Sequence, residues 1–196
     1  MPLITAALLV CASVAGAEPL QIGNHKQFFI DTQFFAEAHH VALRVCTAEK
    51  TGEHTLEPDQ PWESASLNWF SVIEDTGKYR MWYEAYDVEG WPTSDDTSFC
   101  YAESADGVHW QKPSLDLVKY HDIEQTNILF RMIGTAGARS RVHGAGVFLD
   151  RNAPEPERYK AVSQGIFAGL GDPPHRVAGM YSPDGLHWTR YPEPIC

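Results

Sequence analysis

Cysteine is scarce in this 196-residue chain: four are present, and none sits in a Cys-x-x-Cys pair or a Cys/His cluster with zinc-ligand spacing. That excludes a zinc finger and a disulfide-dense scaffold. Basic residues are scarce as well. Fifteen Lys and Arg, scattered, stand against 26 Asp and Glu, a net charge of −11. Phosphate backbones and anionic headgroups need clustered cations, so neither nucleic acid nor a membrane is expected as a partner. No apolar run reaches the roughly 20 residues that a membrane-spanning helix requires. Apolar spacing at the helical period is nearly missing too. What is there, 43% hydrophobic and 12% aromatic content, suffices for a packed core and describes a globular chain rather than a disordered or fibrous one.

The uncharged run LITAALLVCASVAGA ends in Ala15-Gly16-Ala17, the small-x-small pattern of a signal peptidase site. It predicts a signal peptide over 1–17, a mature chain from Glu18 and a secreted or periplasmic location; a buried N-terminal strand or helix is the competing reading. The mature part keeps Cys46, Cys100 and Cys196, an odd and widely spaced set. A Cys46–Cys100 pair and buried free thiols are both compatible with it.

Short runs rich in Val, Ile, Phe, Tyr and Trp alternate with clusters of Gly, Pro, Asp and Asn, as in an all-β sandwich, barrel or propeller. LNWFSVIEDTGKYRMWYEA predicts strand 67–74, a loop at Asp75-Thr76-Gly77, and strand 79–85. TSFCYAES predicts a strand over 97–104, followed by an Asp106-Gly107 turn and VHWQK as the returning strand. From residue 143 the order returns, with HGAGVFLD, RYKAVSQ, VAGMYS and LHWTR as strands and Asp184-Gly185 as the turn.

The phrase SADGVHW at 104–110 recurs as SPDGLHW at 182–188. Its chemistry is structural. Ser104 and Asp106 are suited to bind turn amides, Gly107 takes a positive φ, and Trp110 packs across the sheet; Ser182, Asp184, Gly185 and Trp188 repeat the set. Four-stranded antiparallel units repeated at this spacing are the mark of β-propeller blades, whereas a β-sandwich explains the hairpins but not the repeat. The expected organisation is an N-terminal segment over 18–60 that supplies a ring-closing strand, a first blade over 61–120 and a second over 121–196. A ring needs at least about four blades to close, so the chain reads as the front part of a longer protein.

FFID (28–31), EKTGEHTLEPDQPWE (49–63), YRMWYEA (79–85), CYAESADGVHWQKPSLDLVKY (100–120) and PEPERYKAV (154–162) together resemble secreted bacterial proteins of the five-bladed propeller glycosidase kind, akin to the invertase and arabinanase families. The S-x-D-G-x-H-W element is also close to the Asp-box of sialidases, one residue shorter between Asp and Trp. The resemblance implies an incomplete all-β propeller of the five-bladed type, with about two blades present. It implies a poly- or oligosaccharide substrate and hydrolysis of a glycosidic bond, one carboxylate protonating the leaving oxygen while another attacks or activates water. No organic cofactor is implied, and a divalent cation in the channel is left open. Neither NDPNG nor RDP occurs in the sequence, so those families' catalytic acids are not carried over by motif.

Candidate residues are those at strand ends, where propeller sites are built. Asp31 and Glu63 are the candidate catalytic acids; a hairpin turn and a solvated loop are their structural alternatives. At the starts of the inner strands the two units differ, Asn68 standing where His143 does. Asn68, Trp69, Arg141 and His143 are therefore the candidate substrate-binding residues, with amide, imidazole and guanidinium donors for sugar oxygens and an indole for a sugar face. Channel filling and core packing are the alternatives here. Glu84 and Glu103, set within strands, are suited to an inter-blade network. A propeller that binds carbohydrate or protein without catalysis is the reading from another functional class.

Overall fold

The computed structural model of the chain describes residues 20–88, 97–131, 143–167 and 175–196. The signal peptide expected over 1–17 and the candidate Arg141 lie outside the described residues. The chain divides into two units, Met1–Thr51 and Gly52–Cys196. In the first, the described residues form turns and bends and no strand. Its apolar side chains gather locally, the Phe29 ring lying 5.4 Å from Phe34 and 5.9 Å from Phe35.

The second unit is all-β: two four-stranded antiparallel meanders, arranged as neighbouring propeller blades. The first comprises β1 (Ser66–Asp75), β2 (Lys78–Tyr86), β3 (Thr97–Ser104) and β4 (Ile128–Phe130). The second comprises β5 (Gly146–Leu149), β6 (Tyr159–Ile166), β7 (His175–Ser182) and β8 (Thr189–Arg190). The β1–β2 hairpin closes through Thr76 and Gly77, both at positive φ, where the Gly pays no steric penalty.

The strand β2 explains why the sheets stack. Side chains alternate across a strand, so Met81, Tyr83 and Ala85 line one face while Trp82, Glu84 and Tyr86 line the other. All six are buried, which demands cover on both sides. On one side Trp62, Tyr120 and Ile128 complete a core with Met81 and Tyr83. On the other, Trp82, Phe99 and Tyr101 share a core with Val147, Tyr159, Ala161, Ala178 and Met180 of the second sheet. Polar contacts fix the register between the sheets: Val147 N–H donates to Ser71 Oγ (3.0 Å), and the Trp82 indole N–H to the Gly185 carbonyl (2.7 Å).

Each sheet ends in the same corner. Ser104 Oγ accepts from the Gly107 amide at 2.9 Å and Asp106 Oδ1 from the Val108 and His109 amides at 2.8 Å; Ser182 and Asp184 do the same for Gly185, Leu186 and His187. The strand after the first corner differs from the expected VHWQK. Only Gln111 pairs with β3, through Glu103, and the ladder then breaks at Pro113, which has no N–H to donate. Residues 128–130 take up the fourth position, which extends the first blade past residue 120.

Candidate functional site

Antiparallel order places the corners, the end of β1 and the start of β2 at one end of the sheets. The starts of β1 and β5 and the ends of β2 and β6 lie at the other. That second end gathers the site. Asn68, on β1, pairs with Glu84 of β2 and donates from Nδ2 to Ser66 Oγ at 2.8 Å. Between Asn68 and Ser71 the register slips in a bulge, and Trp69 takes φ +52°. A left-handed Trp costs on the order of 1–2 kcal/mol, so the bulge is strained. Its product is an indole that stays 52% exposed at the mouth of the inner strands, edge-on to the His143 ring at 5.6 Å.

His143 stands just before β5, its amide and carbonyl held by Ser163 Oγ. Its Nδ1 lies 2.9 Å from the Tyr86 hydroxyl and 3.7 Å from Glu84 Oε2. Glu84 is wholly buried, accepting from the Ala145 amide (2.8 Å) and from the Tyr86 hydroxyl (3.1 Å). Proton counting orders this chain. A carboxylate only accepts, so the single Tyr86 proton points to Glu84, and the Tyr86 oxygen accepts from His143 Nδ1–H. With Nδ1 engaged by Tyr86, the Nε2 edge of the ring is turned away from this chain. Glu84 thus joins the two blades, as its place within a strand suggested.

Three of the six candidates, Asn68, Trp69 and His143, come together at this end. Asp31 lies in the first unit, exposed, with Oδ1 accepting from the Gln33 amide at 2.9 Å, an Asx turn. Glu63 is fully buried. It ends a 3-10 turn over Pro61–Glu63, accepts from the Gln60 amide (3.2 Å), the Tyr83 hydroxyl (2.6 Å) and Lys112 Nζ (2.6 Å), and meets β2 on the face opposite Glu84. Asn127 extends this knot, accepting from the Trp62 indole and donating to the Tyr83 oxygen. Burial, with Glu63 second, pushes the nearby Cys100 thiol well up; Cys46 and Cys196 are also free thiols, both exposed.

Sequence reasoning missed Tyr86 and the residues beyond His143. The i, i+2 spacing of Glu84 and Tyr86 is the signal that would have paired them on one strand face. Beyond His143 a cleft of about 610 Å³ opens, lined with Ser163, Gln164 and Arg176 at the end of β6 and the start of β7. Among the described residues, no group of three or more His, Cys, Asp or Glu is placed to hold a metal.

No family model and no curated protein matches the chain. Solved structures resemble it at low identity. A glycosyl hydrolase from Bacteroides ovatus is 17% identical with a TM-score of 0.45, over 66% of this chain and 32% of that one. An endo-1,4-beta-xylanase from Bacteroides thetaiotaomicron is 17% identical with a TM-score of 0.44, over 69% of this chain and 42% of that one. An exo-inulinase from Aspergillus awamori is 17% identical with a TM-score of 0.42, over 71% and 29%. The chain therefore spans well under half the length of these proteins.

Proposed function

We propose that this chain is an exported, carbohydrate-active propeller protein of the glycoside hydrolase type, which holds a poly- or oligosaccharide at the inner-strand end of its blades. The observation that carries the reading is Trp69: a strained bulge keeps a large aromatic ring half in solvent beside the His143 imidazole. An exposed indole suits the C–H face of a sugar ring, and Asn68 and His143 bring an amide and an imidazole, both hydrogen-bonding groups of the kind that bind hydroxyls. Glu84 and Tyr86 are positioning residues that orient His143.

Hydrolysis needs a carboxylate able to reach the glycosidic oxygen. Of the two acids first considered, Asp31 is exposed, whereas Glu63 is sealed beneath Lys112 and Tyr83 and serves as an anchor. The test is a panel of soluble glycans scored by affinity electrophoresis for retention and by reducing-end release for cleavage. Trp69→Ala is expected to weaken retention about tenfold, equivalent to about 1.4 kcal/mol, with the circular dichroism unchanged. Retention without release identifies a binder; unaltered retention by the Trp69→Ala variant, or none by the parent, refutes the site.

A further inference from the structure

The bulge in β1 has a second product. Between Asn68, paired with Glu84, and Ser71, paired with Trp82, two residues of β1 stand opposite one residue of β2, Tyr83. An unbroken ladder would set a single side chain there. The extra residue lets two consecutive aromatic rings leave β1 on different sides. Trp69 turns to His143, just before β5, and Phe70 turns to Tyr83, on the face of β2 that looks away from the second blade. Both rings stay about half in solvent, Phe70 at 50%. Phe70 is also held in place: its ring lies 6.0 Å from that of Tyr83 at an interplanar angle of 20°, a stacked pair. Tyr83 is itself buried and pinned at its hydroxyl, which donates to Glu63 and accepts from Asn127. An exposed flat ring backed by a fixed one loses little freedom when something binds it.

We infer that Phe70 is a second sugar platform, so that the ligand of the Trp69 site is an oligosaccharide long enough to cross the inner strand β1 and stack on both rings. Side chains on the two sides of a strand end about 10 Å apart, as packed sheet layers do, so a single sugar ring seated on Trp69 does not reach Phe70. A short ligand engages one platform; a longer one engages both and gains the second stacking contact within the same molecule. The inference rests on the proposed carbohydrate-binding role and narrows its substrate class to chains rather than single sugars.

The experiment is a calorimetric titration of the 196-residue chain with the di-, tetra- and hexasaccharides of the cello, xylo and manno series. In at least one series the hexasaccharide is expected to bind about tenfold more tightly than the disaccharide, the worth of one further stacking contact. Phe70→Leu keeps an apolar cover over Tyr83 but removes the flat ring. It is expected to abolish the gain with length and to leave disaccharide affinity as it was, whereas Phe70→Tyr should keep the gain; Phe70→Met replaces the Leu variant if circular dichroism shows that one unfolded. No gain in any series, or a gain that survives Phe70→Leu, overturns the second platform. Equal weakening of disaccharide and hexasaccharide by Phe70→Leu overturns it too, because that marks a ring that only shapes the bulge. In each of these cases the general reading stands if the glycan panel still shows retention sensitive to Trp69→Ala, and falls with the platform if the panel fails.

Discussion

Asp75 is one of the side chains that bind the two blades together. Its carboxylate, at the end of β1, accepts from the Tyr159 hydroxyl and, at 3.0 Å, from Arg158 of the second sheet. Burial opposes its charge, but Tyr159, Arg158 and Arg80 prevail and hold its pKa below the ordinary carboxylate value. The Tyr159 hydroxyl in turn is pushed up to about 12, by burial first and by Asp75 second. Because the folded-state pKa is depressed, this contribution is present above the ordinary value and fades as pH falls from about 4 toward the lower one. Asp75→Asn should cost about 3 kcal/mol in urea unfolding and flatten that acid limb; a midpoint within error of the parent at neutral pH sinks the assignment. His109 shows the opposite sign. Its Nδ1 lies 2.7 Å from Asp106 Oδ2, which raises its pKa. The bond stabilises below the ordinary imidazole value and is lost as pH climbs through the raised one. An NMR titration of His109 should give a midpoint above that of an unpaired imidazole, and Asp106→Asn should bring it down; an unmoved midpoint would show the contact absent in solution.

Among the elements, the second corner decides most. Gly185 holds φ +75°, and a Cβ there would lie 2.6 Å from Cζ2 of Trp82, whose indole N–H already donates to the Gly185 carbonyl. Gly185→Ala should therefore combine left-handed strain with overpacking, about 2–4 kcal/mol in chemical denaturation, with a changed Trp emission. Gly107→Ala makes a useful control: the nearest atoms to its Cβ are those of the Tyr79 ring, at an ordinary contact distance of 3.6 Å, and it should cost no more than the backbone strain. Equal losses at the two corners would show that Trp82 does not seat there. Such elements were legible in the sequence because their signals are local. Asp-Gly turns, period-two alternation and Gly77 identify the hairpins from a few residues each. The fourth strand was not, since VHWQK carries a strand pattern that Pro113 cuts short, and nothing local in ILF says it will pair with β3 instead.

At the scale of the molecule, the two ends of the sheets divide the work. One end repeats itself, corner for corner, down to the Ser and Asp that bind the turn amides. The other end differs between blades and carries Asn68, Trp69, His143, Glu84, Tyr86, Gln164 and Arg176. Three of those seven, Asn68, Trp69 and His143, could be read in advance by comparing the units, because divergence stands out against a repeat. The Glu84–Tyr86–His143 chain could not, because it is assembled across two sheets from positions 57 residues apart. The burial of Glu63 was hidden for the same reason: a loop acid in the sequence is buried only once Lys112 and Tyr83 close over it. The seat of Trp82 at Gly185 has a further meaning. Tyr79 and Tyr159 occupy matching positions opposite Ser104 and Ser182, so three residues on, Val162 stands in the second blade where Trp82 stands in the first. A valine has no N–H with which to grip a turn. Neighbouring blades are thus keyed like tongue and groove in one direction only, and exchanging their order along the chain would leave a key facing a blank wall.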